Sequence, residues 1–161
     1  MSVKKTSGRK KTTAPKGIQE VSAHYRNAPL THVRNVLGSD KPITVAMIRE
    51  GLSPLAIVSL SKQLELSTEK TLQFVSLSKQ TYARRQKTGK LTAKESDRVW
   101  RIAGLVTEAN QLLGDEDAAA EWLRTSSPAL DGENPLERAS TEIGAAEVKQ
   151  LIGRLEHGIA T

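Results

Sequence analysis

The sequence predicts an all-α protein, and three observations favour this fold class. Aromatic residues make up only 3% of the 161 residues, so any core must consist mainly of Leu, Ile, Val and Ala. Ala and Leu are strong helix formers, whereas strand-rich chains usually carry more aromatic and β-branched residues. Apolar residues recur at helical spacing behind capping residues in several segments, and no segment has a convincing strand pattern.

The middle of the chain predicts a series of short helices. Segment 43–51, ITVAMIREG, fits a helix or a strand by its pattern, but Gly51 and the following Ser53-Pro54 favour one helix ending and another beginning. The inward residues of that second helix are predicted to be Leu55, Ile57, Val58, Leu60 and Leu64. A third helix follows Ser67-Thr68 and places Leu72, Phe74 and Val75 inward. Ser78 can cap a fourth helix, KQTYARRQK, which Gly89 ends.

The second half of the chain predicts one long helix and three shorter ones. Thr92 and Glu95 have the spacing of a capping box, which opens a helix from about 93 to 113. Its inward residues are predicted to be Val99, Ile102, Ala103, Val106, Ala109 and Leu113. At 1.5 Å per residue this helix is roughly 30 Å long, enough to join two subdomains. Shorter helices are predicted at 117–125, 136–144 and 145–159, the last with an apolar face of Val148, Leu151, Ile152 and Leu155.

The beginning of the chain is predicted to contribute little to a core. Residues 1–17 carry six cations, no acid and almost no large apolar side chain, so we expect a disordered basic tail. It fits a nucleic-acid arm and a solubilising tail equally well. Residues 31–38, THVRNVLG, predict one short helix with Thr31 as its cap and Gly38 as its end.

Charge is distributed unevenly along the chain. Residues 1–114 contain 20 Lys and Arg against eight Asp and Glu, whereas residues 115–161 contain four against ten. The basic segment 1–114 would attract polyanions, and the acidic segment 115–161 indicates a different partner. The chain has no cysteine, which excludes disulfides and thiolate chemistry, and no apolar run long enough for a membrane span. No metal-binding spacing relates His24, His32 and His157, so we expect no metal site. We also expect no cofactor and no catalytic site, and the absence of cysteine suits a cytoplasmic protein.

The segments around SKQTYARRQ have the layout of a helix-turn-helix. A helix at 68–76, a break at Leu77-Ser78 and a helix at 79–87 would place the second helix in the major groove of DNA. Gln can pair with adenine and Arg with guanine, while Lys meets phosphates. The predicted DNA-binding residues are Lys79, Gln80, Thr81, Arg84, Arg85 and Lys87. Gln80 and Arg84 share one face, Thr81 and Arg85 another, and spacing alone leaves open which face points outward.

From Gly51 to Ile159 the chain resembles the Xre/MbcA/ParS-like antitoxins. The resemblance lies in an ordered set of motifs: TYARR, GKL, ESDRVWRIA, AAEWL, L-x-G-x-x-P, and a final G-x-x-x-V helix that ends in HGI. It implies a type II antitoxin whose N-terminal helix-turn-helix domain represses its own operon and is joined by a long helix to a small helical toxin-binding domain. We expect the helix-turn-helix domain at 18–91, and the linking helix with the toxin-binding domain at 92–161. The usual partner in this family is a RES-domain toxin, which depletes NAD.

The resemblance also suggests where the toxin binds. We expect the toxin contacts to be Trp122, Leu123, Leu130, Leu136, Glu142, Glu147, Val148, Leu151, Leu155 and Glu156, although most of the apolar ones equally fit the core of a small domain. We expect a homodimer within a larger toxin–antitoxin complex. Trp100 is expected to pack between the two halves. Arg98 is expected to pair with a neighbouring acid, Glu95 or one near Asp97, and so to be a structural residue before it is a DNA contact. The alternatives are a free-standing regulator whose C-terminal domain only dimerises, and an interaction module that does not bind DNA.

Overall fold

The computed structural model describes residues 37–39 and 41–158, and every regular element within them is helical. The elements are α1 (Val45–Glu50), α2 (Leu55–Gln63), α3 (Thr68–Phe74), α4 (Lys79–Thr88), α5 (Ala93–Leu113), α6 (Glu116–Arg124), a 3₁₀ turn (Pro128–Leu130), α7 (Pro135–Arg138) and α8 (Glu142–Glu156). The all-α prediction is confirmed. The predicted basic tail at 1–17 and most of the helix predicted at 31–38 lie outside the described residues.

Side-chain caps start most of these helices where the sequence predicts them. The hydroxyls of Ser67 and Ser78 accept hydrogen bonds from the backbone at the starts of α3 and α4. Thr92 and Glu95 form the predicted capping box, in which Thr92 N–H donates to Glu95 Oε2 at 2.7 Å. Each cap satisfies a backbone donor that a helix end leaves without a partner, which fixes where the helix begins.

Segment 43–51 is a helix, and the glycine that ends it is required there. Gly51 has a φ of +100°, and a Cβ at this position would lie 2.0 Å from the Leu91 carbonyl oxygen. The neighbouring Leu52 donates its N–H to Ser96 Oγ at 2.9 Å and accepts a hydrogen bond from Leu91 N–H at 2.9 Å. These contacts tie the α1–α2 link to the α4–α5 link, so the position of α4 is fixed at its C-terminal end.

The long helix α5 runs through the core of the described chain. It packs against α1 and α2 on the N-terminal side and against α6 and α8 on the C-terminal side. The predicted inward residues of α5 are buried, apart from Leu113 in its last turn. Those that the structure confirms are Val99, Ile102, Ala103, Val106 and Ala109. One apolar cluster therefore includes residues of both halves of the chain.

Several predicted details differ from the structure. Leu55 is 70% exposed because it is the first residue of α2, while Ile57, Leu60 and Leu64 are buried as expected. Leu155, in the last turn of α8, is also exposed.

The final helix begins at Glu142, three residues before the predicted start. Thr141 caps it by accepting a hydrogen bond from Gly144 N–H at 3.0 Å. The early start requires a glycine, because a Cβ at position 144 would lie 1.9 Å from the Arg138 carbonyl oxygen. The helix predicted at 136–144 is correspondingly reduced to the single turn of α7.

Candidate functional site

Helices α3 and α4 form the predicted helix-turn-helix pair. Ser76, two residues after the end of α3, has a φ of +51°, and the buried Leu77 donates its N–H to the Leu72 carbonyl at 2.9 Å. Ser78 then caps α4, whose ten residues include no acid. The turn is short because only Leu77 separates the left-handed Ser76 from the cap Ser78.

Two side chains hold α4 against the rest of the protein. Tyr82 is buried, and its hydroxyl lies 3.4 Å from the Pro54 carbonyl oxygen, to which it donates a hydrogen bond. Burial raises the pKa of the Tyr82 phenol, so the group stays neutral. Arg85, three residues further along the same face, is the second attachment.

Arg85 forms a two-pronged ion pair with Glu95, in the first turn of α5. Its Nε donates to Oε2 at 2.8 Å and its Nη2 to Oε1 at 3.0 Å. The two side chains are only 19% and 11% exposed. Burial would raise the pKa of the Glu95 carboxyl, but hydrogen bonds from Arg85 and from Thr92 together hold it below its ordinary value. The pair of hydrogen bonds fixes both distance and angle between α4 and α5.

The inward position of Tyr82 and Arg85 settles which face of α4 points outward. Gln80, Arg84 and Lys87 are exposed on the opposite face, and among the described residues Arg84 and Lys87 form no ion pair. Of the other predicted DNA-binding residues, Lys79 is exposed and pairs with Glu69 at 2.6 Å, and Thr81 is half-buried beside the Ser78 hydroxyl. The outward face thus offers an amide, a guanidinium and an ammonium group.

The predicted pairing of Arg98 with Glu95 is wrong. Arg98 donates instead to the carbonyl oxygen of Ser76 at 3.2 Å, because Arg85 occupies Glu95 and Asp97 pairs with Arg101 at 3.2 Å. Arg98 therefore attaches α5 to the turn of the helix-turn-helix. Trp100 is half-buried against the core and lines a shallow groove between α5 and α8.

The predicted toxin contacts divide into buried and accessible residues. The buried set forms the core of the C-terminal half and consists of Leu123, Leu130, Leu136, Val148 and Leu151. These side chains stabilise the domain, but they are buried in the described structure and are not accessible to a partner. The accessible set consists of Trp122, Glu142, Glu147, Leu155 and Glu156.

A groove between α7 and α8 is rimmed by acids. Arg138 lies on this rim and contacts Asp131 at 3.2 Å, Glu133 at 3.7 Å and Glu147 more closely. These acids offset its charge, and its hydrogen bond to Glu147 raises the pKa of its guanidinium. Ile143 also lines the groove and is 77% exposed. Sequence reasoning missed Ile143, because α8 was predicted to begin after it and no periodic pattern distinguished it from an inward residue.

The described residues are also informative about two other classes of site. No group of three or more His, Cys, Asp and Glu side chains within 37–39 and 41–158 is arranged to hold a metal ion. In the same part of the chain, no helix has both the length and the apolar character needed to cross a membrane.

Known proteins match this chain in both halves. Residues 44–104 match the family model described as the antitoxin Xre-like helix-turn-helix domain. Residues 108–158 match the one described as the antitoxin Xre/MbcA/ParS C-terminal toxin-binding domain. Antitoxin Xre of Photorhabdus laumondii is 32% identical over 142 residues, which cover 87% of this chain and 96% of that protein.

Two further relatives carry the same name. Antitoxin Xre of Yersinia enterocolitica is 32% identical over 143 residues, covering 84% of this chain and 97% of that protein. Antitoxin Xre of Pseudomonas putida is 24% identical over 111 residues, covering 69% of each chain. The fold and the two matches define an all-helical protein with a helix-turn-helix domain followed by a toxin-binding domain. The chain belongs to the Xre/MbcA/ParS antitoxin family.

Proposed function

We propose that this antitoxin neutralises a RES-domain toxin by direct binding and represses its own operon by binding operator DNA. The observation that carries the DNA part is the outward face of α4, where Gln80, Arg84 and Lys87 are exposed beside each other. Amide and guanidinium groups in the first turns of such a helix can form paired hydrogen bonds with base edges in the major groove. Lys79 and Lys87 would neutralise phosphates, and Thr81 lies at the edge of this surface.

Arg85 has a different role in this proposal from its neighbour Arg84. Its guanidinium is occupied by Glu95, so it positions α4 while Arg84 contacts DNA. Helix-turn-helix proteins usually bind palindromes as dimers, so we propose a homodimer on the operator. Repression and neutralisation both rely on binding, and we propose no catalytic step.

The charge of the two matched domains supports a division of partners. Residues 44–104 contain eleven Lys and Arg against five Asp and Glu, and residues 108–158 contain four against eleven. A cationic helix-turn-helix domain suits the phosphate backbone. An acidic domain suits a toxin whose active site binds an anionic dinucleotide and is therefore cationic. We propose that residues from the second domain cover that active site.

Co-expression and DNA binding test the two parts separately. We expect the gene beside this one to encode a RES-domain protein, which should stop growth when expressed alone and be tolerated together with the antitoxin. DNA from upstream of the operon should shift in a mobility assay, and its affinity should fall steeply with salt because bound phosphates release counterions. If the antitoxin restores growth but does not shift the upstream DNA, the protein is an interaction module that does not bind DNA. If it shifts the upstream DNA but does not restore growth, the protein is a free-standing regulator.

A further inference from the structure

The outward face of α8 carries an uncharged stripe. Ile143, Ala146, Gln150 and Gly153 follow one another at intervals of three or four residues, so they lie on one side of the helix. The opposite side carries the buried Ala145, Val148, Leu151 and Ile152. Charged residues flank the stripe, with Glu142 and Lys149 on one side and Glu147 and Arg154 on the other. We call these four residues the α8 stripe.

The fold of this chain does not explain why the α8 stripe begins with an isoleucine and ends with a glycine. Ile143 is the most exposed of the large apolar residues in the described structure. It also occupies the first turn of a helix, where acidic residues are favoured and a β-branched residue has lower helix propensity. An isoleucine here costs solvation and helix stability without packing against the core.

Gly153 has no structural reason to be a glycine. It lies inside α8 and does not have a positive φ, and a Cβ at this position would meet nothing within 4 Å. Glycine inside a helix is less stable than alanine, so this position carries a cost that alanine or another good helix former would relieve. Gly144 differs, because packing against Arg138 requires it. A glycine on an open helix face lets another backbone approach closely.

We propose that the α8 stripe is the surface on which the toxin docks, with Ile143 as its anchor and Gly153 as the point of closest backbone approach. This inference rests on the proposed neutralisation of a toxin, and the match of residues 108–158 to a toxin-binding domain supports that occupant. The two residues are ten positions apart, about 15 Å along the helix, which is the span of a short segment of a partner.

The acids beside Ile143 specify the chemistry of the partner. Between residues 131 and 147 the chain carries five acids and one cation, Arg138, whose charge Asp131, Glu133 and Glu147 already offset. A partner seated on Ile143 therefore faces a net negative rim. It should offer an apolar pocket surrounded by Lys or Arg, as a cationic dinucleotide-binding cleft does.

Two substitutions test the α8 stripe with the full-length antitoxin and the RES-domain toxin that the co-expression experiment identifies. Ile143→Ala should weaken toxin binding roughly 30-fold, the size expected for truncating an apolar hot spot. The matched control is Val45→Ala, because Val45 is 66% exposed on α1, in the other domain, and should leave toxin affinity unchanged. Both variants should retain the wild-type operator affinity, and neither should melt at a lower temperature than the wild type, because alanine is the better helix former at both exposed positions.

Gly153→Gln separates binding from folding. It should raise the melting temperature by about 2–4 °C, because it removes a helix glycine. It should also weaken toxin binding at least tenfold, because the added side chain blocks the approach. A merely structural role for Gly153 would not predict these opposite changes.

A charge exchange tests the cationic partner. Glu137→Lys, on the rim of the groove, should slow toxin association and reduce its dependence on salt. Glu121→Lys makes the same change of charge on α6, outside the groove, and should have a smaller effect.

The outcomes distinguish this inference from the function on which it rests. If the wild-type protein binds the toxin and Ile143→Ala and Gly153→Gln bind it equally well, the α8 stripe is not the docking surface. If the variants keep toxin affinity but lose self-association, the stripe contacts a second copy of this chain, and the inference is overturned. If the wild-type protein itself does not bind the toxin, the proposed neutralisation fails as well.

Discussion

Helices α4 and α8 are attached to the protein by different forces. α4 is held by one buried tyrosine and by the ion pair of Arg85 with Glu95. α8 is held by an aliphatic face of Ala145, Val148, Leu151 and Ile152. Apolar burial is non-directional and grows with area, whereas a two-pronged ion pair requires one distance and one orientation. α4, which we propose to face DNA, is therefore placed by polar geometry, and α8, which carries the α8 stripe, is placed by apolar packing.

The largest expected effect comes from removing apolar packing under α8. Leu151→Ala should lower the free energy of unfolding by about 2–5 kcal/mol, because Leu151 is buried and its loss leaves a cavity. Urea denaturation measures this change. The neighbouring Gln150→Ala is the control and should change stability by less than about 0.5 kcal/mol, because Gln150 is exposed. Equal losses for the two variants would mean that α8 is not held by its apolar face.

Two adjacent arginines of α4 provide the next test. Arg84→Ala should weaken operator binding by about 1–3 kcal/mol at constant salt and leave the melting temperature unchanged, if Arg84 contacts a base. Arg85→Ala removes the same charge but should lower the melting temperature, because it leaves the Glu95 carboxylate without its partner.

The contrast between these two variants is what matters, since each lowers the net charge of the protein by one unit. Titration of fluorescent operator DNA and a thermal melt measure the two quantities. The division of roles proposed for α4 would be wrong if Arg84→Ala melted early and Arg85→Ala did not.

The smallest effect concerns pH. The pKa of Glu95 is lower in the folded protein than its ordinary value of 4.5, so the unfolded chain binds more protons near that pH. The stabilisation is fully present above the ordinary value and is lost as the pH falls through the lowered, folded-state pKa. Glu95→Gln should therefore be less stable than the wild type at pH 7, and the difference should shrink at pH 3. Urea denaturation at both pH values tests this, and a difference independent of pH would rule it out.

Local sequence signals predicted much of this fold. Ser67, Ser78 and Thr92 marked helix starts because a cap depends only on residues within one turn. The predictions that were wrong concern features that depend on contacts with residues distant in the sequence. The start of α8 depends on the Arg138 carbonyl lying against Gly144, and the choice of Glu95 between Arg85 and Arg98 depends on how α4 meets α5.

The candidate site shows the same division. The residue types on α4 could be named from the sequence, but the outward face emerged only once Tyr82 and Arg85 were placed inward. On the C-terminal side, helical periodicity marks apolar residues without distinguishing core from contact. Leu123 and Leu136 are buried, whereas Ile143 is exposed, and the difference lies in tertiary packing.

The continuity of α5 constrains how the two domains of this chain can be exchanged. The helix-turn-helix match ends at residue 104 and the toxin-binding match begins at residue 108, so the border between them falls inside one unbroken helix. Inserting a single residue there would rotate one half against the other by about 100° and move it by about 1.5 Å. Joining either half of this chain to a half of a relative must therefore preserve the helical phase of α5, or the two domains would meet at a new angle.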